Sequence, residues 1–105
     1  MDIKWLELQN EFNREMLNLP EATKEFGYNP SYFMRMVKKD GGLLAAKKLI
    51  AKPKISDGLR KLQECGRLDL SIEATVLKEE YRPLFTDEER QKCLDILEQL
   101  NYRPE

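Results

Sequence analysis

Residues 86–100 read TDEERQKCLDILEQL, and this stretch contains the main local signals of an α-helix. Thr86, followed three residues later by Glu89, forms a capping box in which each side chain can bond the backbone amide of the other residue. The apolar residues behind the box follow the spacing i, i+3, i+4 and i+7, namely Cys93, Ile96, Leu97 and Leu100. That spacing places them on one face, so the stretch predicts an amphipathic helix with a buried side.

Similar signals recur towards the N-terminus. Asp2 can cap a first helix, whose apolar stripe comprises Trp5, Leu8, Phe12, Met16 and Leu19. Pro20 either kinks this helix or begins a second short one, which Gly27 would end. Asn29-Pro30 combines a capping side chain with a proline suited to the first helical position, so it predicts the start of the next helix.

The sequence Asp40-Gly41-Gly42 separates that helix from another, which runs through Leu43, Ala46, Leu49 and Ile50. Ser56 or Asp57 caps a further helix, in which we expect Leu59 and Leu62 to be buried. Ser71 caps the next helix, which Arg82-Pro83 would break. No stretch alternates polar and apolar residues long enough to predict a strand. We therefore predict an all-α fold, a compact single domain of about six to seven short helices with no sheet, comprising an N-terminal helical segment at 1–27 and a core at 29–102.

The residue types exclude several classes of chemistry. The chain has no histidine, which removes the usual triads and most zinc sites, and it has no phosphate-binding glycine loop. Cys65 and Cys93 match no metal spacing, so we expect two reduced cysteines in the core. We predict no catalytic residue, metal or cofactor. No run of 18 apolar residues occurs and the N-terminus does not resemble a signal peptide, so we expect a cytoplasmic protein with no membrane contact.

Residues 56–74, SDGLRKLQECGRLDLSIEA, resemble a small helical domain found in uncharacterised bacterial proteins, together with LFTDEE at 84–89 and LNY at 100–102. The resemblance extends upstream to Gly27 and so covers 27–102. It implies a bacterial or phage-borne protein of no established activity, and it supplies no catalytic residues. Within this region we expect Gly58 to allow close backbone packing, and Arg67 and Asp69 to bond exposed helix ends.

Charge is unevenly distributed along the chain. The net charge is −3 over residues 1–30, +7 over 31–61 and −5 over 62–105, although the whole chain carries only −1. The central stretch could be a solvated face or a contact for an anion or nucleic acid. Gly41 and Gly42 belong to this candidate contact because amides at the start of the following helix could bind an anion. Its charged members are Arg35, Lys38, Lys39, Lys47, Lys48, Lys52, Lys54, Arg60 and Lys61.

Two functions remain open at this level. The first is a non-catalytic module that docks on a larger protein assembly as an adaptor, regulatory subunit or inhibitor, with acidic candidates Glu79, Glu80, Glu88 and Glu89. The alternative is a nucleic-acid-binding accessory protein that uses a basic face over 35–61, where two helices flank a glycine-bearing turn as in a helix-turn-helix. The isoelectric point of 5.6 and the apolar run at 43–46 argue against sequence-specific binding. Opposite charges could also drive self-association into a homo-oligomer.

Overall fold

The computed structural model describes residues 3–28, 30–52 and 54–103, and these ranges contain no strand. The all-α prediction is therefore confirmed. Three short 3-10 helices lie at Lys24–Phe26, Leu68–Leu70 and Glu79–Leu84. The α-helices are α1 (Ile3–Thr23), α2 (Ser31–Asp40), α3 (Gly42–Ala51), α4 (Asp57–Glu64), α5 (Ile72–Val76) and α6 (Asp87–Gln99).

Three of the predicted helix caps are confirmed. Ser56 and Ser71 accept from the amides three residues further on, and Thr86 forms the full capping box with Glu89. The Asp2 and Asn29 caps lie outside the described residues. Pro30 precedes α2 at its N-cap position instead of occupying the first helical position.

Of the two alternatives at Pro20, a second helix that begins there is wrong, because α1 continues to Thr23, whose hydroxyl donates to the Leu19 carbonyl 2.7 Å away. The 3-10 helix that follows ends at Gly27, which has the left-handed conformation of a helix stop. Two other local expectations were wrong. The helix capped by Ser71 ends at Val76, before Arg82-Pro83, because a separate 3-10 helix follows it. Arg67 and Asp69 bond each other at 3.0 Å and do not bond helix ends.

Two clusters of buried side chains form the core. The first joins Phe12 and Met16 of α1 to α2, α3, the Glu79–Leu84 segment and Cys93. The second joins α4 to the C-terminal half of α6 through Leu62 and Leu97. Helix α3 packs against α1, α2 and α6, so it is the central helix of the first cluster.

Most of the predicted core is confirmed, with two corrections. Phe12, Leu59, Leu62, Ile96, Leu97 and Leu100 are buried. Trp5 is only half-buried, because it lies near the start of α1, where Ile3 is 70% exposed and the cluster covers one side only. Cys93 is buried, but Cys65 is exposed because it follows the last turn of α4, where its thiol lies 3.6 Å from the Phe26 carbonyl oxygen.

Candidate functional site: a basic groove between α2 and α3

The two glycines of the turn serve different structural purposes. Gly41 has φ 86° and ψ 160°, a conformation that side chains disfavour, and its amide donates to the Val37 carbonyl at the end of α2. Gly42 lies against α1, where an added Cβ would be 2.8 Å from the Asn13 side-chain oxygen and 3.1 Å from the Met16 Cβ. The turn therefore brings α3 close to α1.

This packing uses an amide that the sequence suggested for an anion. The Gly42 amide donates to the Asn13 side-chain oxygen at 2.6 Å, so it points at α1 and not outward, contrary to expectation. Asp40 also lines the cleft beside the turn and adds negative charge there. The Gly42 amide at the start of α3 therefore holds α3 against α1 and is not available to an anion.

Helix α3 is also too covered to lie in a nucleic-acid groove. Leu43, Ala45, Ala46 and Ile50 are buried among α1, α2 and α6. A recognition helix must present one face to base edges. Only Leu44, Lys48 and Ala51 of α3 are exposed, which leaves a short stripe with a single charge.

Two lysines of the predicted basic contact are already paired. Lys47 of α3 lies 2.7 Å from Glu89 of α6 and 5.2 Å from the centre of the Phe85 ring. Lys48 lies 2.8 Å from Asp40. Partial burial alone would raise the pKa of Glu89, but hydrogen bonds from Lys47 and the Thr86 amide outweigh it, so the pKa of Glu89 is lowered.

Lysines in the last turn of α3 and in the segment just after it border a groove of about 530 Å³. Its apolar lining comes from Tyr32, Met36, Leu49 and Ala51, and its cations are Lys48, Lys52 and Lys54. Tyr32 is 69% exposed, and the Arg35 guanidinium lies 5.9 Å from its ring centre.

The outer face of α2 extends this positive surface. Tyr32, Arg35, Met36 and Lys39 follow the helical spacing i, i+3, i+4 and i+7, so they share one face. Lys38 and Lys39 are exposed and form no ion pair within the described chain. We call the groove and this face together the basic groove.

Arg60 and Lys61 do not belong to the basic groove. They lie on α4, which packs chiefly against the Leu68–Leu70 turn, and the end of the Lys61 side chain approaches Gly27. The basic stretch seen in the sequence is therefore divided between two places in the fold. The charge pattern along the sequence could not reveal this division, because the division depends on where α4 packs relative to α2 and α3.

The acidic candidates are likewise separated by their partners. Glu79 lies 2.9 Å from Arg82, whose hydrogen bond lowers the pKa of that carboxyl. Glu89 belongs to the capping box and bonds Lys47. Glu80 and Glu88 are exposed and form no ion pair within the described residues, so two of the four carboxylates remain available to a partner.

A smaller cavity of about 160 Å³ adjoins the groove, since Tyr32 and Leu49 line both. Its lining includes Glu73, which the sequence did not single out, because a glutamate in the first turn of a helix ordinarily complements the helix dipole. Burial raises the pKa of the Glu73 carboxyl. Burial and the nearby Glu73 raise the pKa of Tyr28 and of the Cys93 thiol, each to about 12.

Comparison with known proteins adds no relative. No protein-family model, curated protein or solved structure shows significant similarity to this chain. The resemblance to a bacterial helical domain stays a prediction. Among the described residues, no group of three or more metal-ligating side chains comes together, and no helix is long and apolar enough to cross a bilayer.

Proposed function

We propose that this protein is a non-catalytic binding module that docks on a larger protein assembly, as an adaptor, regulatory subunit or inhibitor. In this proposal the basic groove holds an acidic, amphipathic segment of the partner. The observation that carries the proposal is the combination of an apolar lining with a lysine border between α2 and α3.

The apolar lining supplies contact area for the partner. Tyr32 and Met36 from α2 and Leu49 from α3 offer an aromatic ring and flexible or branched side chains. Tyrosine and methionine are enriched at protein interfaces, and methionine adapts its shape to a partner. An amphipathic helix can lay its apolar side chains into such a groove.

The border lysines select the sign of the partner's charge. Lys52 and Lys54 are exposed and form no ion pair within the described chain, whereas Lys48 bonds Asp40. An acidic segment would therefore meet two unpaired cations at the edge of the groove. Charges at an interface edge raise the association rate and suppress partners of the wrong sign.

A second candidate, contact with single-stranded nucleic acid, is favoured by one observation. Tyr32 is 69% exposed beside Arg35, and an exposed aromatic ring in a cationic groove can stack on a base. The burial of α3 argues against duplex recognition by that helix. We place this candidate second, because the remaining groove lining is aliphatic.

Charge reversal at two separate places tests the docking proposal. Lys52→Glu with Lys54→Glu changes the groove, and Arg60→Glu with Lys61→Glu makes the same change in charge on α4. The probe is a synthetic helical peptide with leucine at i, i+3, i+4 and i+7 and glutamate elsewhere. We expect the groove variant to bind it about 10-fold more weakly in fluorescence anisotropy, and the α4 variant to lose much less.

A capture experiment separates the two candidate functions. The parent protein and both variants are used as bait in lysate, with and without nuclease. Docking predicts partners that survive nuclease and are lost only with the groove variant. Equal loss with both variants, or partners that vanish with nuclease, would overturn the docking proposal, and binding of a short oligothymidylate would then favour the second candidate.

A further inference from the structure

Glu73 is a carboxyl group in surroundings that do not suit a free charge. It lies in the first turn of α5, and it forms no ion pair or hydrogen bond with another side chain in the described part of the chain. Burial disfavours its ionised form. A hydrogen bond from its own backbone offsets only part of this effect. Buried carboxylates ordinarily also have a cationic or side-chain partner, so the Glu73 carboxyl can accept a further bond.

The Glu73 side chain nevertheless remains reachable from outside. The residue keeps partial solvent exposure, and no described side-chain oxygen is both fully buried and without a partner. The cavity of about 160 Å³ provides the opening. On its other side Glu73 borders a void of about 10 Å³ shared with Lys92 and Cys93, which is too small for a ligand.

Aromatic rings supply much of the cavity lining. Tyr28, Tyr32 and Phe33 all contribute to it, and no lysine or arginine does. Aromatic faces attract cations, and the attraction grows when the cation is shielded from water. Three aromatic residues and one carboxyl in the lining suit a positively charged ligand, although the neighbouring groove is bordered by lysines.

Gly58 makes room for the ring that lies nearest the start of α4. A Cβ on Gly58 would be 2.2 Å from the Tyr28 ring, so only glycine lets Tyr28 occupy its position in the cavity. The sequence suggested close packing at Gly58, and the neighbour proves to be this aromatic side chain. The cavity thus depends on a residue that is otherwise unfavourable in a helix.

We propose that the cavity bounded by Tyr28, Tyr32, Phe33 and Glu73 binds an alkylammonium or guanidinium group. Because Tyr32 and Leu49 also line the basic groove, the natural source of this group is a lysine or arginine side chain of the docked segment, and in that respect the inference rests on the proposed function. The partner segment would then be acidic overall, with a single basic anchor residue.

The test uses n-butylammonium as a probe and n-butanol as its uncharged counterpart. A small ligand of this size binds with a dissociation constant on the order of millimolar at best. In ¹H–¹⁵N NMR titrations at pH 7.5 we expect butylammonium to shift the amides of Tyr28, Phe33 and Glu73. Butanol should shift them far less. Equal responses to both compounds, or no response at 50 mM, would overturn the proposal.

Two matched variants assign the effect to Glu73. Glu73→Gln keeps the shape and removes the charge, so it should abolish the preference for butylammonium. Glu98→Gln makes the same change at an exposed carboxyl of α6 outside the cavity and should leave binding unchanged. Retained preference in Glu73→Gln, with a parent-like spectrum, contradicts the proposal.

The pH dependence gives a second measurement that needs no variant. The other titratable groups beside Glu73 are Tyr28, Cys93 and Lys92, the last across the small void. Burial and the Glu73 carboxylate raise the pKa of Tyr28 and of Cys93 to about 12, so neither of these two groups changes charge between pH 5 and 8. Binding of butylammonium should therefore strengthen as pH rises through the raised pKa of Glu73, and a flat profile would contradict the proposal.

This test is independent of the groove test. The lysine variants of the groove should bind butylammonium at least as well as the parent, because they remove positive charge nearby. A result in which the acidic peptide fails to bind but butylammonium binds would refute the docking proposal alone. The converse result would refute the cation site and leave docking in place.

Discussion

Among single residues, Glu73 combines an ionisable carboxyl with surroundings that disfavour its charge. Folding takes this group from water into the neighbourhood of Tyr28 and the Cys93 thiol, and within the described chain it forms no ion pair there. A desolvated carboxylate destabilises the folded state unless something compensates its charge. We therefore expect the Glu73 carboxyl to lower the stability of the folded state at neutral pH, as is common at binding sites.

We expect Glu73→Gln to stabilise the protein at pH 7. The folded-state pKa of Glu73 is raised above its ordinary value of 4.5, so the folded state binds the proton more tightly than the unfolded state. The parent is therefore most stable, relative to the variant, below pH 4.5, and it loses stability as pH rises through the folded pKa. Urea melts at pH 4 and pH 7 measure this difference.

In those melts the free energy of unfolding of the glutamine variant should exceed that of the parent by a large margin at pH 7 and by a small one at pH 4. Glu80→Gln is the control, because that exposed carboxyl forms no ion pair within the described residues. A variant with the same gain at both pH values would show that the effect is one of packing and not of charge.

At the level of helices, the arrangement depends on how closely α3 approaches α1. Gly42 allows this approach, and its amide bonds Asn13 across the interface. The same approach aligns α3 beside α2, and these two helices form the basic groove. The double glycine therefore serves mainly to let α3 pack closely against α1. It affects the basic groove only indirectly, because it sets the position of α3.

Gly42→Ala should destabilise the protein. Alanine is the better helix former by at most about 1 kcal/mol, so propensity alone predicts a gain. The added Cβ would meet the Asn13 Cα at 3.0 Å and the Met16 Cβ at 3.1 Å, and overpacking of this kind costs roughly 1–3 kcal/mol. Denaturant melts should therefore show a net loss.

Leu44→Ala provides the control in the same turn of α3. Leu44 is 47% exposed, so we expect its truncation to change the free energy of unfolding by no more than about 0.5 kcal/mol. A Gly42→Ala protein as stable as the parent would mean that α3 and α1 lie farther apart than the structure shows.

At the level of the whole molecule, two helices connect the two core clusters. Helix α6 contributes Cys93 to the first cluster and Leu97 to the second, and α5 contributes Val76 to the first and Ala74 to the second. The Lys47–Glu89 pair also joins α3 to the start of α6. Because of these links, we expect the chain to unfold in one cooperative step.

Leu97→Ala tests this coupling. Leu97 is fully buried in the second cluster, so its truncation should cost roughly 2–5 kcal/mol. Trp5, the single tryptophan, packs against the first cluster and reports on it by fluorescence. We expect the fluorescence and circular dichroism melts to shift together, whereas separate transitions would show that the clusters unfold independently.

The sequence by itself determined the features that depend on neighbours within one helical turn. The caps at Ser56, Ser71 and Thr86 are bonds to amides three residues away, so contiguous residues suffice to specify them. The apolar face of α6 follows from the same local periodicity. The all-α class was predictable because every segment carries such signals and none favours a strand.

Only the tertiary structure decided which side chains meet across the fold. Lys47 and Glu89 are 42 residues apart, and Asn13 and Gly42 are 29 apart, so no local pattern predicts either pair. The same holds for the exposure of Cys65 and for the cavity around Glu73. These features depend on the angles at which loops return the helices to one another, and those angles are set by packing of the whole core and not by any short stretch of chain.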